Sequence, residues 1–280
     1  MSANQVLEDA QTVESKSFNI DRSFIDIPTT LIIALMVVGF PIVAWLQYTG
    51  AIHWSVAMII GTFLMNISFT AWHEPSHGNY STSRLANHIA GIVSSFSSVY
   101  PGYFARRREH LAHHKWEGTP GKDPVYARIQ KTNIFLFPFK LIYINFINKN
   151  PVEIPDSFCK YTNTHRVLDH LNNLIALAVV LVAAFYGWFW PVMCSWVIPR
   201  GLFLFIHAYY ICFFAHGIDD HEGFQVYRVK KANLLWRFLT MEQNFHGLHH
   251  RFPFIPWHKY ANIVNKRKDI LEDSRFEVIE

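Results

Sequence analysis

The stretch "IPTTLIIALMVVGFPIVAWLQYTGAIHWSVAMIIGTFLMNISFTAWH", residues 27–73, contains no Lys, Arg, Asp or Glu. A soluble helix or surface loop of that length would carry charge. A membrane-spanning helix needs about 20 mostly apolar residues, so this stretch predicts two spans, about 28–48 and 53–73, turning near residues 49–52. A second uncharged region runs from His170 to Pro199, is broken only by Arg200, and continues from Gly201 to Ile218. It predicts spans at about 171–198 and 201–217 with the turn at Pro199. The expected fold is an all-α integral membrane protein, with four transmembrane helices in two hairpins and a cytoplasmic helical cap.

Charge orients this arrangement. Of the 25 Lys and Arg, twelve lie in segment 74–169, ten follow Ile218 and two are in the N-terminal tail. Only Arg200 falls at a predicted outer turn. The positive-inside rule therefore places both termini and segments 74–169 and 219–264 in the cytoplasm, with the chain in an inner, cytoplasmic membrane. The net charge of +4 follows from topology and contact with anionic lipid, and gives no case for nucleic acid. The layout is a polar tail (1–26), one membrane domain (27–264) and a C-terminal tail (265–280). The N-terminus shows neither a signal-peptide core nor an Arg-rich transit pattern. Cys159, Cys194 and Cys212 are odd in number and far apart, which argues against a disulfide framework. Residues 134–147, "IFLFPFKLIYINFI", are apolar but short, and predict an interfacial helix.

Against this background the 16 histidines are unevenly placed. Eight form three clusters: His73 and His77 in "HEPSH", His110, His113 and His114 in "HLAHH", and His246, His249 and His250 in "HGLHH". Positions i, i+3 and i+4 share a helix face, so each triplet can converge. Adjacent histidines point about 100° apart, so one triplet can serve two neighbouring ions. Eight or nine imidazoles are too many for one tetrahedral zinc and suit two metal ions with open positions. The predicted topology brings all three clusters to the cytoplasmic face, together with His216 at the end of span four, read as a ninth ligand. The block of Arg106, Arg107 and Arg108 beside the second cluster is no obstacle, because a metal-bound imidazole is neutral.

A lone histidine such as His53, His88, His165 or His258 is more simply an interfacial side chain; His207 is a lesser ligand candidate than His216, and His221 reads as a loop residue or a partner behind a ligand. Carboxylates beside the clusters are Glu74, Glu109, Asp123, Asp219, Asp220, Glu222 and Glu242. Metal-bound histidine usually donates its other N–H to such a group, and Asp219, Asp220, Glu242 and Asn244 are singled out for that role.

The boxes "HEPSHG", "RREHLAHHKWEGTPGKDP" and "QNFHGLHHRFPFIPWHKY", in this order and with these hydrophobic spacers, resemble the membrane fatty acid desaturase superfamily over about residues 27–264. Box three, together with the Asp-Pro that follows box two, is most similar to the bacterial and cyanobacterial β-carotene hydroxylase branch. The resemblance implies a non-haem di-iron centre using O₂ and two external electrons to break unactivated C–H bonds of a lipid taken from the bilayer. Its ligands would be His73, His77, His110, His113, His114, His216, His246, His249 and His250, with no catalytic residue beyond the metal centre. Two features depart from the pattern. Box one has Glu-Pro where many relatives have Asp, and Cys212 stands where some acyl-CoA desaturases have an asparagine. No haem domain, Rossmann fingerprint or iron–sulfur cysteine cluster is present, so a separate donor, a ferredoxin or a b-type cytochrome with its reductase, is implied. Ring hydroxylation of a carotenoid is slightly favoured over desaturation of a fatty acyl chain. A membrane zinc hydrolase is a more distant alternative.

Overall fold

A computed structural model describes residues 18, 20, 24–97, 102–129, 133, 135–136, 139–140, 152–207, 227–272 and 276–279. The chain is mostly helical, and four helices are long and apolar enough to cross a membrane: α1 (Ile27–Tyr48), α2 (Trp54–His77), α6 (Asn163–Phe185) and α7 (Phe189–His207). Between α2 and α6 lie α3 (Arg84–Ser97), α4 (Tyr103–Trp116) and α5 (Pro124–Ile129). Residues 134–147, expected to form an interfacial helix, fall mostly outside the described residues.

α1 starts where Asp26 accepts a hydrogen bond from the Thr29 amide, with proline in its first turn, where the missing N–H is one the helix would leave unpaired anyway. It packs along α2, which ends at Gly78 in the left-handed conformation, φ 75°. The outer faces of α1 and α6 expose Leu31, Leu35, Leu174 and Leu181, as lipid-facing surfaces do.

The second pair of spans departs from the sequence reading. α6 begins at Asn163, with Thr162 as its N-cap, and ends at Phe185. The turn is at residues 186–188, where Gly187 has φ 78°, and Pro199 lies inside α7. Proline brings no N–H to the Ser195 carbonyl four residues back. The helix absorbs this with a π-helical turn at Met193–Val197. Arg200 is thus part of the span: its guanidinium stacks 4.2 Å from the Trp196 ring centroid and donates to the Phe96 carbonyl at 3.1 Å. Tyr48 and Trp188 stack at 4.3 Å, which brings the 49–53 and 186–188 turns to one end of the bundle, away from the three histidine clusters.

The expectation of an all-α fold is also corrected. β1 (Tyr227–Lys230) pairs in parallel with β2 (Phe276–Ile279), Val229 opposite Val278. Four residues per strand leave too short an alternation to be read from sequence. Within 265–280 the described residues include α11 (Asp269–Glu272) and β2. Between the strands run α8 (Leu234–Leu239), a 3₁₀ turn at Gln243–Phe245, α9 (His246–Arg251) and α10 (Tyr260–Lys266). Val229, Leu248, Phe254, Ile255, Tyr260 and Ile270 form the core that seats α9.

Candidate metal centre

Each histidine cluster sits on a helical element whose position is fixed by something else. His73 and His77 are one turn apart at the buried end of α2. α4 carries His110, His113 and His114, and its N-terminus is capped from a distance: the Asp169 carboxylate on α6 accepts from the Phe104 and Ala105 amides at 3.1 and 2.9 Å and from the Tyr161 hydroxyl at 3.0 Å. Gly102, at φ 78°, makes room for it, since a Cβ there would stand 2.3 Å from the Asp169 carboxyl carbon. α9 presents His246, His249 and His250.

These elements bring the eight boxed histidines into one cluster. The donor atoms of His73, His77, His110, His114 and His249 all lie within 4.8 Å of one another. Nε2–Nε2 distances are 2.7 Å for His77–His110, 3.2 Å for His110–His114 and 3.0 Å for His114–His249. His246 and His250 adjoin them, with their Nε2 atoms 3.0 Å apart, and the His250 ring centroid lies 4.4 Å from that of His114 and 4.8 Å from that of His113. Metal–imidazole bonds of about 2.0–2.1 Å place neighbouring donors about 3 Å apart, so this nitrogen set fits a metal ion. His207, buried against Phe69 and Phe203, is not part of the five-histidine group. His216, Asp219 and Asp220 lie outside the described residues.

In five of the eight boxed histidines Nδ1 faces a polar partner. The Nδ1 of His113 meets both oxygens of Asp123 at 2.9 and 3.0 Å. Asp123 is itself fully buried and fixed by the amides of Gly118 and Val125. The Nδ1 of His249 is 2.9 Å from the Tyr260 hydroxyl, that of His246 is 3.2 Å from Gln243 Oε1, and that of His250 is 2.9 Å from Glu117. His73 meets Glu74 at 3.2 Å, and the other oxygen of Glu74 accepts from the Trp257 backbone amide at 3.2 Å and the Asn79 side-chain amide at 3.3 Å, which links box one to the "PWHKY" flank of box three. Nδ1 outward on an acceptor and Nε2 inward is the arrangement that fixes a ligand's tautomer.

Two expected partners do other work. Glu242 and Met241 adopt positive φ, 61° and 48°. That turn folds the Glu242 carboxylate onto Arg237 at 2.6–3.1 Å. Asn244 donates to the Lys230 carbonyl at 3.0 Å, tying box three to β1. Glu117, Gln243 and Tyr260 are histidine partners that the sequence reading did not single out. Gln243 and Tyr260 stand in the "QNF" and "PWHKY" flanks of box three; nothing in the sequence marks Glu117.

Electrostatics favour neutral imidazoles. Burial, with repulsion from neighbouring imidazoles, holds His110, His114, His246 and His249 well below the ordinary histidine value, as metal ligation requires. His113 goes the other way: burial acts to lower it, but the Asp123 carboxylate outweighs burial and raises it. Glu117 is pushed up to about 7, first by burial and then by Asp123, against the pull of His113. Burial, with Glu74 nearby, holds Tyr260 well above the usual phenol range, so it remains a neutral hydroxyl toward His249.

Comparison with known proteins agrees with this site. The chain is 27% identical over 218 residues to a sphingolipid delta(4)-desaturase DES1-like protein of Arabidopsis thaliana, covering 73% of this chain and 60% of that protein. It is 26% identical over 216 residues to a protein of the same description from Oryza sativa subsp. japonica, covering 72% and 60%. The match thus spans about 60% of the length of these relatives. A model of the fatty acid desaturase family matches residues 49–280, from the first inter-span turn through all three histidine clusters to β2, and the chain belongs to that family.

Proposed function

We propose that the protein is an integral membrane, O₂-dependent non-haem di-iron oxidoreductase that breaks unactivated C–H bonds of a long-chain lipid and introduces a double bond. The observation that carries this reading is the convergence of histidine Nε2 atoms from three chain segments, with polar partners on the Nδ1 side of His73, His113, His246, His249 and His250. The five-histidine group would hold one ion, and His113, His246 and His250 would contribute to a second, with His216 completing the set. Iron with imidazole ligands and open positions binds and reduces O₂. The chain's own part is to keep His110, His114, His246 and His249 neutral, to hold those imidazoles that have an Nδ1 partner in one tautomer, and to exclude water from the buried site, which protects a reactive oxidant.

Desaturation removes two hydrogens from the lipid, and with two external electrons and two protons reduces O₂ to two waters. The electrons would come from a separate ferredoxin or b-type cytochrome with its reductase, docking on the cytoplasmic side. The desaturase names of the relatives favour this outcome. The second reading, hydroxylation of a carotenoid ring, rests on the Gln-Asn before box three and the P-x-x-P-W-x-x-Y after its third histidine. Placement of the reacting carbon decides between the two.

Expression in a host that makes both β-carotene and sphingolipid precursors, with carotenoid and lipid profiling, tests this directly. New double bonds in acyl or sphingoid chains are expected. Hydroxylated carotenoids would select the second reading. Neither product from protein that purifies with about two irons per chain, or one zinc in their place, would overturn the proposal.

A further inference from the structure

α8 reads LLWRFL and turns its apolar side chains outward: Leu234, Leu235 and Phe238 are 77%, 66% and 61% exposed. It lies in a segment whose charge pattern predicts a cytoplasmic location. Yet it packs beside the middle of α2. The Asn66 side-chain amide donates to the Leu239 carbonyl at 2.7 Å, and the Phe238 ring lies 5.9 Å from that of Phe63. At a rise of 1.5 Å per residue, Asn66 is about 16 Å and Phe63 about 21 Å along α2 from its histidine-bearing end at His77. A bilayer-spanning α2 passes through hydrocarbon at that level.

The polar groups of α8 are arranged for such a setting. Asn233 caps its N-terminus by accepting from the Trp236 amide at 2.8 Å. Asn66 satisfies a C-terminal carbonyl for which a six-residue helix has no donor of its own and hydrocarbon offers none. Arg237 is folded onto Glu242, so its charge is paired. Lys230 and Lys231 precede Leu234 by four and three residues in the sequence.

From this geometry we infer that α8 is a wedge inserted into the inner leaflet, with lipid acyl chains as its partner, and that it anchors box three to the bilayer. A soluble protein would have to reach the mid-depth of α2 to cover these side chains. The exposed faces of α1 and α6 are the same kind of apolar surface. The inference rests on this packing and on α2 spanning the bilayer, and holds whichever oxidation the site performs.

A nitroxide label at Leu235→Cys, in protein whose Cys159, Cys194 and Cys212 are replaced by alanine, tests it after reconstitution into vesicles with a nickel chelate on both sides. Collisions with O₂ should exceed those with the chelate, as at a Leu31→Cys control on α1. Chelate-dominated collisions, as at a Lys122→Cys loop control, would overturn the inference, and so would suppression of both collision rates, which marks a protein partner. A second measurement uses the native cysteines. Quenching of tryptophan fluorescence by acyl-brominated lipid should fall in Trp236→Phe relative to the parent; unchanged quenching in that variant would contradict the insertion.

Discussion

Tyr260 and Asp123 show how single residues govern the cluster without belonging to it. Each occupies the Nδ1 side of a clustered histidine, so each leaves Nε2 as the nitrogen available to an ion. Tyr260→Phe removes one hydrogen bond from a buried ring and leaves its shape, and should weaken metal affinity by about 10- to 100-fold, measured by competition with a calibrated chelator. Unchanged affinity would show that packing alone orients His249. His88 gives a different prediction. It lies on α3 with Nδ1 unpartnered, and burial, with Arg107 and Arg84 nearby, lowers it to about 4. The unfolded chain therefore binds more protons than the folded one below about pH 6.5, and stability should fall as pH drops from there toward 4. Melting curves in detergent should show a shallower acid loss for His88→Gln than for the parent. The eight clustered histidines were legible because helical spacing is written in the sequence. Glu117 was not: its place beside His250 depends on how α4 and α9 meet, which no local pattern records.

At the scale of helices, close approach between α2 and α7 is set by Gly61. A Cβ there would stand 2.1 Å from the Ser195 carbonyl oxygen and 2.8 Å from Pro199 Cγ. The small residue admits the backbone of α7 at its π-helical turn, as small residues do at membrane helix contacts. Gly61→Ala should destabilise by about 1–3 kcal/mol or more, visible as a lower Tm in detergent. Gly201→Ala on α7 meets open space and should leave Tm unchanged or slightly higher. The cap on α4 predicts a second loss. Asp169→Ala strips the acceptor from two amides and a hydroxyl, and should cost about 1–2 kcal/mol, with weaker metal retention because α4 carries three histidines. The number of long apolar helices could be read from charge-free stretches. The turn before α7 could not, because proline marks a break only when the helix cannot absorb it. Here the π turn does so, and an unremarkable Tyr-Gly at 186–187 makes the reversal.

Across the described residues, the two inter-span turns meet at one end and the eight boxed histidines gather at the other. With Arg200 inside α7, residues 49–53 and 186–188 contain no Lys or Arg at all, so the charge asymmetry is sharper than the sequence reading supposed. Cysteines placed at Gly50 and Gly187 should react with a membrane-impermeant reagent from the same side, and one at Lys122 from the opposite side. Labelling of all three from one side would reject the proposed topology. The parallel strand pair was beyond sequence reading, yet it bears on handling the protein. β2 holds β1, and β1 is bound through Asn244 to the peptide entering box three. Removing residues 276–279, or hanging an affinity handle directly on them, would unfasten a stitch that ends at the helix bearing the third histidine box.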